Sequence, residues 1–167
     1  MLVKGGDFGS CTPSFHLLSS LAFELFPKVL IGYNTCIKHK DNELITEKEI
    51  RDEISKETTK FNHNLANLYK AFPDLMEYLN VLDINEFKND YIWDCRMKLD
   101  NNKEILLKNI EASRYGSFAK NRDIVTWCVD DDIIVELLEK LEKFVEIKNK
   151  ETNEILRKSL NSREGSK

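Results

Sequence analysis

The chain has 167 residues, with 25 Lys and Arg against 29 Asp and Glu, so its formal net charge is −4. That length suits one domain, able to bury roughly 70% of its unfolded surface without disulfide support. Hydrophobic residues at 41% and charged residues at 32% exclude a disordered or fibrous chain, and the mild acidity excludes a polycation that coats nucleic acid through bulk charge. A local basic patch stays open.

The opening, residues 1–11, carries three glycines and reads as a flexible lead. Thr12 followed by Pro13 is a good helix start, a hydroxyl cap before a proline whose missing N–H costs nothing. From Phe15 to Ile31 apolar residues cover most of the helical circumference, which places this helix centrally in a bundle. Glu24, Pro27 and Lys28 interrupt the run, and about 17 residues is the short limit for a membrane span; no association with a membrane and a cytoplasmic location are the expectations. Pro27 should kink the helix and Gly32 should end it.

Residues 38–43 form a polar connection. Thr46 with Glu49 is a capping-box pattern, opening a charged helix with Ile50 and Ile54 on its apolar stripe. Phe61, Leu65, Leu68 and Phe72, spaced four, three and four, set a third helix that Pro73 closes, with a further turn over Asp74 to Leu79. Asp83 with Glu86 repeats the capping-box pattern, and Ile84, Phe87 and Tyr91 predict a helix reaching about Leu99. Asp100, Asn101 and Asn102 read as a turn, followed by a helix through Ile105, Leu106 and Ile110 to about Arg114. Residues 115–121 read as a loop. Ile124 to Val129 is the one β-flavoured run, too isolated to build a sheet.

Asp130, Asp131 and Asp132 supply negative charge at the start of a final helix. Ile134, Leu137, Leu138, Leu141, Phe144 and Val145 form its inner face, and Glu136 with Lys140 pairs on its outer face. After Lys148 apolar content collapses, so residues 149–167 read as a frayed tail beyond a single bundle domain over 12–148. The expected fold class is all-α, an antiparallel bundle of about five main helices.

The cysteines, Cys11, Cys36, Cys95 and Cys128, form no Cys-x-x-Cys pair, and buried reduced thiols are the expectation. Cys36 and His39 share a helical face, but no second ligand pair accompanies them, so no metal and no cofactor is expected.

Three clusters carry polar chemistry. Glu24 and Lys28 sit one turn apart in the most apolar helix, either as an internal ion pair or as a polar site. His63 and Asn64 open the third helical segment, where they either satisfy free backbone groups or supply a group that titrates near neutrality. Arg114, Tyr115, Lys120 and Arg122 surround Phe118, with Lys108 two turns earlier. Guanidinium groups grip phosphates and aromatic rings stack on bases. Over residues 103–124 five basic residues stand against three acidic ones, an excess that solvated loop charges explain equally well.

Taken in order, these blocks resemble the HEPN domains (higher eukaryotes and prokaryotes nucleotide-binding). The family's first helix carries Ala-x-Glu-Leu-x-x-Lys, matched by Ala22, Glu24, Leu25 and Lys28. Its His-Asp-Leu block is matched by His63, Asn64 and Leu65, with Asn64 in place of the acid, followed by Leu68. A late Arg-Tyr followed by a small residue corresponds to Arg114, Tyr115 and Gly116. The resemblance spans roughly residues 15–145 and implies a helical bundle, commonly a homodimer. It also implies a role in toxin–antitoxin, CRISPR or phage-defence systems, often beside a nucleotidyltransferase. Catalytic members use Arg, four to six residues, then His. None of Arg51, Arg96, Arg114, Arg122 and Arg157 has that histidine.

The resemblance therefore implies a non-catalytic binding and dimerisation module engaging a nucleotide, RNA or a partner protein through Lys108, Arg114, Tyr115, Lys120, Arg122, His63 and Asn64. A divergent metal-independent RNase using His63 and Arg114 is the enzyme alternative. A purely structural interaction bundle is the third, and it predicts an exposed apolar stripe, as on Leu137, Leu141 and Phe144.

Overall fold

In the computed structural model the described residues are 13–89, 92–101, 103–107 and 131–164. They form five helices and three strands: α1 (Pro13–Lys38), α2 (Glu47–Phe61), α3 (Leu65–Lys70), α4 (Pro73–Tyr78), β1 (Val81–Asn89), β2 (Ile92–Leu99), β3 (Glu104–Leu107) and α5 (Asp131–Glu164). Helix accounts for most of them, so the predominantly helical expectation holds. The sheet is the departure.

α1 runs six residues past Gly32 to Lys38. A mid-helix glycine costs only about 1 kcal/mol, and burial of Leu30, Ile31 and Thr35 on the inner side outweighs it. Pro27, fully buried, leaves the helix unbroken. The Thr46–Glu49 capping box forms as expected: Thr46 Oγ1 accepts from the Glu49 N–H at 3.2 Å, and the Glu49 carboxylate accepts from the Thr46 N–H at 2.8 Å.

Over 83–89, 92–99 and 105–107, where helices are expected, the described residues form strands instead. β1, β2 and β3 form an antiparallel meander. In β2, Cys95, Met97 and Leu99 are buried while Arg96 and Lys98 are exposed, the two-residue alternation of a half-buried strand. β1 hides this alternation, because an irregularity between Val81 and Asp83 shifts its phase. Val81 and Ile84 are both buried although three apart, a spacing that imitates a helix. The expected turn after Leu99 is present: Lys103 O accepts from the Leu99 N–H at 2.9 Å.

The core gathers Phe23, Leu30 and Ile31 of α1, Leu65, Leu68 and Tyr69 of α3, Leu75 of α4, the inner face of the sheet, and Ile134, Leu137, Leu141 and Phe144 of α5. α5 packs along α1 and, at 34 residues, is about 51 Å long. It does not end at Lys148. Thr152 and Ser159 are buried, and Ser159 Oγ donates to Lys40 O at 3.1 Å and lies 2.8 Å from Asp41 Oδ1. Arg163 also donates to Lys40 O. These polar anchors hold the segment expected to fray as regular helix. They also put the C-terminal end of α5 beside that of α1, so the two long helices run in the same direction, while α2 folds back antiparallel to α1. An antiparallel bundle describes the α1–α2 pair and not the α1–α5 pair. Among the described residues, no helix is long and apolar enough to cross a membrane.

Candidate functional site

Two of the three polar clusters read from the sequence meet in space. Glu24 points from the inner side of α1, its side chain only 5% exposed. One helical turn on, Lys28 Nζ reaches Glu24 Oε1 at 2.5 Å and donates to Asn62 O at 2.8 Å. His63, thirty-nine residues along the chain, places Nδ1 3.0 Å from Glu24 Oε2 and 3.2 Å from Oε1. A single buried carboxylate therefore holds an ammonium group on one side and an imidazole on the other. Burial of such a charge is tolerated only when it is paired and hydrogen-bonded, and both conditions are met.

The turn between α2 and α3 makes this arrangement. Asn62 has φ 48° and ψ −121°, the conformation of the first central position of a type II′ turn, and the Asn64 N–H closes the turn on Phe61 O at 2.8 Å. A residue other than glycine is strained there. The turn aims the Asn62 carbonyl at Lys28 and delivers His63, the next residue, to Glu24. Asn64 then caps α3, its Oδ1 accepting from the Asn67 N–H at 2.7 Å. Asn64 thus has the backbone-satisfying role weighed from the sequence, whereas His63 reaches across to α1. With Nδ1–H donated to a carboxylate, the imidazole is fixed in ring orientation and tautomer, as in carboxylate–histidine dyads.

Sequence reasoning missed Asn62. The signal available was weak: asparagine is among the few residues that tolerate positive φ, and it stands here between an aromatic residue and a histidine. It also missed a second carboxylate–histidine contact. His39 Nε2 lies 2.7 Å from Glu53 Oε2, and Lys38 Nζ lies 2.6 Å from Glu53 Oε1. Lys38, and then His39, hold the Glu53 carboxyl below its usual range.

Behind the α3 helix, the Tyr69 hydroxyl is buried with no hydrogen-bond partner among the described residues. Burial, with a smaller effect of Cys95, pushes its phenol well above the ordinary range. Cys36 is half-buried and Cys95 buried. Among the described residues, no three His, Cys, Asp or Glu side chains are grouped to hold a metal ion.

Lys108, Arg114, Tyr115, Lys120 and Arg122, with Cys128 and the β-flavoured run, lie outside the described residues, as do Cys11 and the lead over 1–11. Leu137, Leu141 and Phe144, whose exposure the structural-bundle alternative predicts, are core residues. Exposed apolar side chains stand on α1 at Leu18, Leu21, Leu25 and Val29, on α5 at Val135, Ile147 and Leu160, and elsewhere at Leu44, Tyr78 and Leu82. No family model, curated protein or solved structure matches the chain.

Proposed function

We propose that the chain is a HEPN-like helical module that binds a nucleotide or single-stranded RNA, with Glu24, Lys28 and His63 as the polar centre of the binding face. The observation that carries this reading is the meeting of two separate blocks, Glu24–Lys28 and His63–Asn64, on one buried carboxylate. Lys28 and His63 set an ammonium and an imidazole side by side on one carboxylate, groups that hydrogen-bond a phosphate diester, and the 35% exposed His63 side chain is within reach of a ligand. In this reading a contribution of Arg114 and Tyr115 to binding, dimerisation and a defence-system context all follow from the resemblance alone. The test is an anisotropy titration with a labelled mixed-sequence RNA. Wild-type protein binds with an affinity that falls as salt rises, and Lys28→Met and His63→Ala each weaken it severalfold.

One observation favours a catalytic second reading. The Glu24–His63 dyad orients an imidazole as a proton acceptor, which metal-independent cleavage at a ribose 2′-hydroxyl requires. Cleavage of the same RNA by wild-type protein and its loss in a folded His63→Ala variant would establish it. Intact RNA with wild-type protein leaves the binding module.

A further inference from the structure

α2 differs from the other helices in how it is held. It has no buried residue, and its half-buried stripe of Ile50, Glu53, Ile54, Glu57, Thr58 and Phe61 carries two carboxylates and a hydroxyl among three apolar groups. Such a stripe gives little hydrophobic anchorage. Phe61 at the helix end packs against the core, and the polar attachments of α2 to α1 lie at two places. Near its middle, Glu53 takes Lys38 Nζ at 2.6 Å and His39 Nε2 at 2.7 Å. Just past its C-terminal end, the Asn62 carbonyl takes Lys28 Nζ at 2.8 Å and His63 Nδ1 meets the Glu24 carboxylate. Between them Ile54 lies over Gly32, its Cδ1 3.9 Å from where a Cβ would stand.

The helix is also equipped to persist when detached. Its first turn is closed by its own capping box, Arg51–Glu47 pairs on its outer surface, and Lys60–Glu57 pairs at the edge of the half-buried stripe. The loop before it is pinned at Lys40 and Asp41 by Ser159 and Arg163 of α5, which makes a hinge point. The segment after it is fixed again from Leu65, a buried core residue.

We propose that α2 is a hinged strap, clasped to α1 by Glu53, and that its release takes the Asn62–His63 turn off Glu24 and so disassembles the polar centre. The clasp at Glu53 and the centre at Glu24 are then coupled although they share no residue, because both depend on one helix being docked. This inference concerns the fold alone and stands apart from any ligand.

Native-state hydrogen exchange on the full chain tests it. In wild-type protein the amides of residues 50–61 exchange through a partial opening, faster than those of α1 and α5 and with weaker dependence on denaturant. Glu53→Ala raises exchange in α2 by roughly two- to fivefold, the scale of a partly exposed ion pair, and leaves α5 unchanged. Lys38→Ala, a milder break of the same clasp, moves α2 in the same direction. Lys28→Met, at the other attachment, also speeds α2. The His63 ring nitrogen signals shift in Glu53→Ala, although residue 53 does not touch the histidine. Exchange of α2 at the same rate and with the same denaturant dependence as α5 in wild-type protein overturns the proposal. So does an α2 unaffected by Glu53→Ala or Lys38→Ala, or a His63 ring unaffected when α2 exchange rises.

Discussion

Replacing Lys28 with methionine keeps the aliphatic stem and removes the ammonium from a carboxylate that is 5% exposed and 2.5 Å away. Breaking a fully buried ion pair by deleting one partner costs about 3–5 kcal/mol. Two features of this site lower that figure. Lys28 is itself 19% exposed, and His63 stays 3.0 Å from the same carboxylate, so the charge keeps one partner. The loss of the bond to Asn62 O works the other way. Together these give a cost of about 2 kcal/mol, which lowers the melting midpoint of a chain this size by roughly 4–8 °C. Glu24→Gln keeps the acceptor oxygen and removes the charge, for a loss of about 1 kcal/mol. The double variant leaves no buried charge without its partner, although Asn62 O still lacks the lysine donor. Its loss falls short of the sum of the singles by more than about 1 kcal/mol. Urea unfolding of the four proteins, with equal m-values, measures the cycle. Additivity within about 0.4 kcal/mol, or a loss below about 0.5 kcal/mol for Lys28→Met, would refute the argument that the buried carboxylate depends on this lysine.

Asn62→Gly relieves a φ of 48° whose strain is about 1–3 kcal/mol, against an entropic cost of about 0.5–1 kcal/mol. A net gain in unfolding free energy is expected, and a loss would show that the turn is unstrained. Tyr69→Phe removes a buried hydroxyl without a partner among the described residues and should be neutral or stabilising by up to about 1 kcal/mol in the same assay; a loss above that would reveal a bonded hydroxyl. The carboxyls of Glu49, Glu53, Glu136 and Glu154 are all held below their ordinary value of 4.5, by Thr46, Lys38, Lys140 and Lys158 respectively. Their folded pKa values being lower, they stabilise the fold above pH 4.5 and lose that contribution as pH falls through the folded values. Thermal midpoints should therefore decline below about pH 4.5, and less steeply in Glu53→Gln; an equal slope would remove Glu53 from the account.

Where local chemistry and tertiary packing agree, the elements were legible in the sequence. Thr46 and Glu49 closed the capping box that they spell, and the inner face of α5 from Ile134 to Phe144 is the buried one. The sheet was not legible for a specific reason. Asp83 and Glu86 imitate a helix cap, and the irregularity at Val81–Asp83 sets buried residues three apart, so β1 carries a helical spacing. The stronger signal lay in β2, where Cys95, Arg96, Met97, Lys98 and Leu99 alternate without a break. Past Lys148 the outcome turned on Ser159 and Arg163 binding the loop at Lys40, a long-range contact that no local pattern encodes.

At the candidate site, residue types and positions were visible as two blocks. Their union on one carboxylate depends on the conformation of Asn62, which composition and periodicity do not report.

The most direct test of the functional account is an NMR titration of the full chain with a short single-stranded RNA, observing the His63 ring nitrogens and the Lys28 ammonium. The account predicts that both signals move and saturate at the RNA concentration that saturates anisotropy, and that their movement is lost in Glu24→Ala. Saturable binding with these two signals unmoved would place the RNA elsewhere on the protein and contradict the assignment of Glu24, Lys28 and His63 as its polar centre. Absence of binding would contradict the nucleic-acid role itself.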